Sequence, residues 1–407
     1  MSDERAERGE HESAQPDAAE TVEWLELFFD LVVVAAVAVL TEGLREEPTW
    51  AGFGLFVLLY GAIWLSWVSI VLYANVAGER TKVGPVVWAM FLVAVMAASA
   101  PGQFERRANL FAGAFLIVRA VPARGSLSTG RILASWPLLQ FGGMATPWIV
   151  AMWVEPPAKF VLWGVGLAFD LLVTLVRPER SPEEQLRRLR ERMSGHQNDR
   201  RSKPPPSLEV VDVQAGHLDE RLGLFMIIVL GEAVSQLVIA ASGHQWTSGL
   251  LRPAVLGFVV LAGLWWLTFS YGFSAAPHTR MAELKPRFAL PMHLATTLGV
   301  VCLAAGLGEM AFHPEEELHG TLRWVMCGGV ALHFLVTGIG GLASGAPYRW
   351  VFGWALPCTV VPLVAAALDL GNGVTTLWIL ACVGWMVVYG HIARARALAG
   401  GIITRAR

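Results

Sequence analysis

Two carboxylates stand four residues apart at the start of the apolar stretch WLELFFDLVVVA, which covers residues 24 to 35. On a helix, Glu26 and Asp30 would lie one turn apart on the same face. A charged side chain at the centre of a bilayer costs roughly 2.5–3.5 kcal/mol, so each acid needs a partner, a cavity or a proton. Such a pair could bind and release a proton or another cation, which is the chemistry of a coupled membrane carrier.

Further ionisable residues lie within apolar stretches and are candidates for the same site. Arg221 and Glu232 are separated by close to a whole number of helical turns and would share one face. We expect the Asp30 side chain to face the protein interior, within reach of a cation from another helix, either Arg221 or Arg119. The candidates for substrate binding or ion coupling are Glu26, Asp30, Asp170, Glu220, Arg221, Glu232, His293 and His333, with Arg119 as a charge partner.

These residues also have purely structural explanations. A residue near a helix end, such as Glu26, could extend its charge to the lipid headgroups. Asp30 and Glu232 lie too deep for that, so their structural alternative is an ion pair that fixes helix packing. His293 and His333 stand alone on apolar faces, where a histidine is more often a hydrogen-bonded core residue.

The composition is that of a membrane protein. The chain is 55% hydrophobic and only 16% charged, whereas soluble domains carry roughly 25% charged residues. In lipid, backbone polar groups must be satisfied within their own segment, so long apolar windows are predicted to be helices. Windows of about 20 residues, enough to cross a ~30 Å hydrocarbon core, recur and predict about twelve spans. They lie near residues 24–44, 52–76, 84–103, 108–124, 132–154, 158–176, 217–241, 252–274, 288–309, 321–343, 348–369 and 374–393.

A charged linker divides the chain into two related halves. The motif GAIWLSWVS at 61–69 resembles GLWWLTFSY at 263–271, and Pro85 corresponds to Pro291 at the start of the next span. We therefore predict an all-α polytopic membrane protein with two parallel six-helix repeats; twelve unrelated helices are the alternative. The predicted segments are a disordered tail at 1–22, a first half at 23–176, a charged cytoplasmic linker with a short helix at 177–214, a second half at 215–397 and a basic tail at 398–407.

Lys and Arg residues set the predicted orientation. With an even number of spans, both termini and the linker lie on one side. The opposite side would hold only Arg45, Arg106, Arg107, Lys159, Arg252 and Arg323, so the termini and linker are predicted to be cytoplasmic. The acidic N-terminal segment has no features of a signal peptide. Tryptophans expected at the membrane interfaces are Trp24, Trp50, Trp148, Trp153 and Trp246.

Three sequence blocks resemble a known family. They are LELFFDLVVVAAVAVL near the N-terminus, ERLGLFMIIVLGEAV at 220–234 and RFALPMHLATTLGVVCLAAGLG at 287–308. Together they are similar to the bacterial low temperature requirement protein A family, and the layout of spans extends the resemblance over nearly the whole chain. The resemblance implies a polytopic protein of the bacterial inner membrane, and it implies no particular substrate.

Two classes of function fit these features. The first is a secondary transporter or ion permease, with a substrate path between the halves and Asp30 and Glu232 as coupling groups. The second is a membrane-embedded enzyme acting on a lipid or isoprenoid, with the same acids and a histidine as acid and base. A path across the membrane between the halves would favour transport. A closed cavity with a lateral opening to lipid would favour the enzyme.

No cofactor is expected from the motifs. The sequence has no Walker A loop, dinucleotide fingerprint or nucleophile elbow, and its four cysteines lack metal-ligand spacing. The expected partners are membrane lipids and a small-molecule or ion substrate, and a homo-oligomer is compatible with the sequence. A net charge of -2 indicates no nucleic-acid partner.

Overall fold

The apolar windows of the first half fold as helices that pack against one another. A computed structural model describes residues 18–100, 104–129, 131–133, 145–176, 187, 209–271, 284–344, 348 and 351–399. The helices before the linker are α1 (Ala18–Glu46), α2 (Trp50–Ala77), α3 (Val83–Ser99), α4 (Phe104–Thr129), α5 (Ala145–Ala151) and α6 (Ala158–Val176), with a short 3₁₀ turn at Gly78–Arg80. Thr49 caps α2 by accepting a hydrogen bond from the amide of Gly52.

The second half contributes a further series of helices. These are α7 (Ala215–Gly243), α8 (Ser248–Tyr271), α9 (Pro286–Phe312), α10 (Gly320–Ala343), α11 (Leu356–Ala367) and α12 (Asn372–Ala399), and a π-helical turn, Val351–Ala355, precedes α11. Two three-residue strands complete the described structure. Strand β1 (Arg131–Leu133) follows α4 and pairs in parallel with β2 (Glu209–Val211), which leads into α7.

Eight helices in the described part of the chain are long and apolar enough to cross a membrane. They are Val22–Glu46, Trp50–Arg80, Ala158–Val176, Ala215–Gly243, Ser248–Tyr271, Pro286–Phe312, Gly320–Ala343 and Asn372–Ile392. Val83–Ser99 and Val351–Ala367 are apolar but shorter, and α4 carries charged residues at both ends. The all-helical membrane architecture is therefore confirmed, whereas the eight candidates fall short of the twelve predicted spans. Most of the 177–214 linker and part of the fifth predicted span, residues 134–144, lie outside the described residues.

Helix α2 forms the centre of the bundle. Every residue from Leu59 to Ala77 is buried, which is expected of a helix that is apolar on all sides. It packs against α1, α3, α4 and α6 of its own half and against α7 and α9 of the other half. The two halves meet where α1 and α2 contact α7 and α9.

Small residues allow close helix packing in the second half. A Cβ atom added to Gly299 of α9 would lie 2.5 Å from the carbonyl oxygen of Gly329 on α10, and one added to Gly329 would lie 2.6 Å from the carbonyl oxygen of Gly299. Alanine at either position would therefore force α9 and α10 apart, in the manner of small-residue contacts between membrane helices.

One of the predicted interfacial tryptophans is instead part of the core. Trp148 of α5 is buried and stacks on Trp163 of α6, with ring centroids 4.7 Å apart. Its ring centroid also lies 4.2 Å from that of Phe115 on α4. The prediction for Trp148 was wrong because its position near the end of an apolar window does not reveal that α5 is covered by neighbouring helices. The four other predicted interfacial tryptophans are exposed.

Candidate functional site

A fully buried ion pair joins the two halves. On α1, Asp30 has no exposed surface, and its Oδ2 atom lies 2.7 Å from the Nη2 atom of Arg221 on α7. Arg221 is itself only 2% exposed. This confirms the expectation that Asp30 faces the interior and pairs with a cation from another helix. It also identifies that cation as Arg221 rather than Arg119.

Helix α2 supplies a second partner for the same carboxylate. The indole Nε1–H group of Trp67 donates a hydrogen bond of 2.7 Å to Oδ1 of Asp30. Both carboxylate oxygens of Asp30 are therefore hydrogen-bonded, Oδ1 by Trp67 of the first half and Oδ2 by Arg221 of the second half. A buried carboxylate with a cation and a neutral donor at fixed positions is held in a single orientation.

Glu26, one turn earlier on α1, is buried but bound much less tightly. Its Oε2 atom lies 3.4 Å from Nε of Arg221 and 3.4 Å from Nε2 of His217, the first-turn histidine of α7. Glu26 is 5% exposed, and neither of its oxygens has a hydrogen-bond partner among the described residues. One guanidinium group thus faces two buried carboxylates. We call Glu26, Asp30, Trp67, His217 and Arg221 the interface cluster.

Asn75, near the end of α2, connects the interface cluster to the start of α7. Its Oδ1 atom accepts a hydrogen bond of 2.8 Å from the amide of Gln214, and its Nδ2 atom donates to the Gln214 carbonyl oxygen at 3.1 Å. The same Nδ2 atom lies 3.1 Å from Nδ1 of His217. Asn75 is buried, so this set of contacts clamps α2 to α7 across the boundary between the halves.

His293 of α9 lies beside the interface cluster with both ring nitrogens occupied. Its Nδ1 atom is 3.1 Å from the indole Nε1 of Trp64, and its Nε2 atom is 3.1 Å from the carbonyl oxygen of Leu222. An indole nitrogen can only donate and a carbonyl oxygen can only accept. His293 is therefore neutral with its proton on Nε2, and its ring packs among those of Trp67 and Phe225. These contacts support a structural role for His293.

Beyond the interface cluster, α1, α7 and α9 continue side by side. A cavity about large enough for one water molecule opens between them and is lined by residues that include Val34, Thr41, Glu232, Gln236 and Val301. Gln236 donates a hydrogen bond of 2.7 Å to Glu232. Arg221 and Glu232 thus face the same neighbour, α1, as their spacing predicted. Glu232 is nevertheless separate from the Asp30–Arg221 pair.

The C-terminal ends of α1 and α9 carry a second charged group. Arg45 pairs through Nη1 with Glu42 at 2.9 Å and through Nε with Glu309 at 3.1 Å. Its guanidinium group also lies over the ring of Phe312. We call the line of contact between α1, α7 and α9, from Glu26 to Arg45, the three-helix seam. It has charged residues at both ends and a small cavity between them.

Asp170 and Arg119, two predicted site residues, pair with each other elsewhere. Arg119 of α4 donates to Asp170 of α6 at 3.0 Å and to the hydroxyl of Ser69 on α2 at 2.6 Å. All three side chains are buried. The pair joins α4 and α6 to the central helix within the first half and is not part of the interface cluster.

The remaining predicted residues are also apart from the interface cluster. Glu220 is exposed on α7. His333 of α10 is buried in the second half, where its Nδ1 atom lies 3.3 Å from the carbonyl oxygen of Thr296. Its other ring nitrogen has no hydrogen-bond partner among the described residues.

The neutral residues in and around the interface cluster were not predicted from the sequence. Trp67, Trp64 and Asn75 bind charged or titratable groups, although the motif GAIWLSWVS was used only to argue for a repeat. Tyr60 belongs with them, since its hydroxyl donates to Thr297 of α9 at 2.7 Å. The available signal was the spacing of Tyr60, Trp64 and Trp67, which places all three on one face of α2.

The fold and the interface cluster together define a class: a polytopic α-helical membrane protein with a buried ion pair between its two halves. The chain belongs to the bacterial low temperature requirement A protein (LtrA) family, whose sequence model matches residues 21–387. This confirms the resemblance of the three sequence blocks. Among curated proteins the chain is similar to "Uncharacterized protein RA0937" of Rhizobium meliloti (strain 1021), with 27% identity over 91% of this chain and 90% of the relative. No solved structure matches the chain.

Proposed function

We propose that this protein is a multi-pass transporter or ion permease of the cell membrane, with its path along the three-helix seam. The observation that carries the proposal is the buried Asp30–Arg221 pair, at 2.7 Å, on the boundary between the halves. Buried ionisable residues in membrane helices typically mark ion or proton pathways. The charged residues at both ends of the seam add support, because a path needs polar groups at each mouth.

The direction of the helices supports six spans in each half. Helices α1 and α7 run parallel, since Glu26 and Asp30 of α1 contact His217 and Arg221 near the start of α7, and later turns of both helices line one cavity. An even number of crossings must therefore separate the two starts. Only three of the eight long apolar candidates precede α7, so an even number requires at least one further crossing. We infer that α3, α4 and α5 each supply one, which gives six spans in the first half, and that the second half likewise has six.

The packing partners support two repeats. In the first half, α1 packs on α2 and α3, α3 on α4, α2 on α6 and α5 on α6. The corresponding helices of the second half repeat this pattern: α7 packs on α8 and α9, α9 on α10, α8 on α12 and α11 on α12. Parallel repeats with a substrate site between them are a common transporter design.

The described conformation is a closed one along this path. The Asp30–Arg221 pair and the Trp67 side chain fill the seam near the start of α7, and the cavity beyond them has room for about one water molecule. Transport then requires the halves to move against each other so that the pair opens. The charge of the seam favours a cation over an anion, because five carboxylates (Glu26, Asp30, Glu42, Glu232 and Glu309) accompany two arginines (Arg45 and Arg221).

Flux through the reconstituted protein tests the proposal. We expect liposomes that contain the full-length protein to conduct H⁺, Na⁺ or K⁺ faster than protein-free liposomes, measured with ion-sensitive dyes with and without an imposed pH gradient. A panel of small neutral solutes extends the search. If no ion or solute moves and the protein instead converts a lipid or isoprenoid, the transport proposal is wrong and the enzyme alternative is favoured.

The orientation has its own test. We expect a cysteine introduced at Ser181 in the linker to be protected from an impermeant thiol reagent in intact cells, and one introduced at Thr247, between α7 and α8, to react. The reason is the excess of Lys and Arg on the side of the linker. The four native cysteines are buried and provide a low background. Labelling of the linker position from outside would contradict cytoplasmic termini.

A further inference from the structure

We propose that His217 is the proton-binding group of the interface cluster, and that its protonation releases the Asn75 clamp between the halves. Three observations lead to this assignment: the charge excess at Glu26, the tautomer that Asn75 imposes on His217, and the access of His217 to solvent. The inference that protonation of His217 controls transport rests on the proposed function. Proton binding by His217 and release of the Asn75 contacts do not.

The interface cluster carries one more negative charge than positive charge when His217 is neutral. Asp30 is saturated by Arg221 and Trp67, so the excess resides on Glu26. That carboxylate is 5% exposed and has no hydrogen-bond partner among the described residues. A buried charge without a full partner is costly. A proton delivered next to Glu26 would balance the cluster.

The contacts of Asn75 determine which nitrogen of His217 carries a proton. The Gln214 amide can only donate and its carbonyl oxygen can only accept, so the Oδ1 and Nδ2 atoms of Asn75 are assigned by their contacts at 2.8 and 3.1 Å. The Nδ2 group therefore donates to Nδ1 of His217. Neutral His217 must then hold its proton on Nε2, the atom that faces Glu26 at 3.4 Å.

Protonation of His217 replaces its contact with Asn75 by a hydrogen bond to Glu26. A proton from water adds to Nδ1 of His217, while Nε2 keeps its own, and the imidazolium becomes a donor at both nitrogens. The new Nδ1–H group would point at the Nδ2–H group of Asn75, so this contact is lost. In return, the Nε2–H group forms a charge-assisted hydrogen bond with Glu26, which is stronger than a neutral one.

The loss of the Asn75 contact acts on the boundary between the halves. Asn75 belongs to α2 of the first half, and its partners Gln214 and His217 belong to the start of α7 in the second. When the Asn75 amide turns away from the imidazolium, it can no longer keep both hydrogen bonds to Gln214. The end of α2 is then free to separate from α7.

The surroundings of His217 are compatible with proton binding near neutral pH. Its side chain is 35% exposed, which gives water direct access. The charged groups that act on it are Glu26 on α1 and Arg221 and Glu220 on α7. Helix α2 presents the neutral amide of Asn75 to His217. The histidine of α9, His293, is bonded to Leu222 and Trp64 instead.

Distance measurements between spin labels test the switch in the full-length protein in nanodiscs. Labels are attached through Glu79→Cys, just after α2, and Ala215→Cys, the first residue of α7; both positions are exposed. We expect the distance to increase between about pH 8 and about pH 5.5, the range in which histidine changes charge. In His217→Gln, which cannot gain the proton, the short distance should persist at both pH values.

Three further variants make the result specific. Asn75→Ala removes the clamp and should give the long distance at both pH values. Glu26→Gln removes the neighbouring anion and should move the transition to lower pH. His313→Gln changes an exposed histidine at the other end of the seam and should respond like the wild type.

Two outcomes would overturn the proposal: a wild-type distance that does not depend on pH, or a pH response that survives in His217→Gln. The test is independent of ion flux. If the switch is observed and no ion moves in the liposome assay, the proton switch stands and the transport proposal falls. If ions move but the distance is insensitive to pH, transport stands and this assignment of His217 is wrong.

Discussion

Replacing Asp30 by Asn is expected to lower ion flux by about 10- to 100-fold while the protein still inserts and folds. The estimate follows from the ~1.5–3 kcal/mol of a hydrogen bond to a charged group, applied to a rate. Asn keeps the shape of Asp and can still accept the hydrogen bond from Trp67, and Arg221 keeps Glu26 as an anionic neighbour at 3.4 Å, so the variant should fold. It cannot hold or release a charge opposite Arg221. Flux into liposomes, normalised to the amount of folded protein, is the measurement.

Asp170→Asn is the matched control for this variant. Asp170 is also a buried aspartate paired with an arginine, at 3.0 Å from Arg119, but it lies inside the first half and away from the seam. We expect Asp170→Asn to lower stability and to leave the flux per folded molecule near the wild-type value. If Asp30→Asn transports normally, or fails to accumulate in the membrane, the ion pair serves packing and the transport proposal loses its main support.

The ion pair at the centre of the site could be predicted from sequence because charges are rare in the spans. Asp30 and Arg221 each stand in an apolar stretch, and the high cost of an unpaired charge required a partner from another helix. The choice between Arg221 and Arg119 required the fold. Arg119 has its own acid, Asp170, and only the arrangement of α4 and α6 reveals it.

The spacing of the aromatic residues on α2 was visible in the sequence, but the polar contacts of the neutral residues could not be predicted from it. Helix α2 is apolar on all sides, so no polar face marks the positions of Trp67 or Asn75. A tryptophan in an apolar helix usually contributes to hydrophobic packing. Its indole N–H group forms a hydrogen bond only where the fold places an acceptor opposite it. Likewise, Asn75 derives its role from Gln214, which precedes α7 and lies far away in the sequence.

The number of spans was harder to predict than the type of fold. Composition and long apolar windows require a helical membrane protein, and the structure agrees. The described part of α5 covers seven residues and α4 carries charges near both ends, so neither is among the long apolar candidates in the described part of the chain. Such segments are stabilised by neighbouring helices rather than by lipid alone, as the buried stack of Trp148 on Trp163 illustrates.

Replacing Arg221 by Gln is expected to have the largest effect on stability. It leaves Glu26 and Asp30 buried one turn apart with no cation between them. Removing one partner of a buried ion pair costs about 3–5 kcal/mol. We expect a lower yield of folded protein and a clearly lower midpoint of unfolding in a denaturant titration of the purified protein. Arg45→Gln serves as the control on the same seam, since the side chains of its partners Glu42 and Glu309 are 53% and 21% exposed and solvent screens part of the loss.

A second substitution should restore part of the loss. In the double variant Arg221→Gln and Asp30→Asn, the carboxylate of Asp30 has disappeared together with its cation, so Glu26 is the one carboxylate of the interface cluster left without Arg221. The two neutral amides can bond to each other and to Trp67. The coupling energy of this double-mutant cycle isolates the ion pair from other effects of each substitution. If the double variant regains stability but not ion flux, any complementary pair of side chains can hold the halves together, whereas transport requires the charges of Asp30 and Arg221. Equal stability of Arg221→Gln and the wild type would mean that the ion pair contributes nothing to joining the halves.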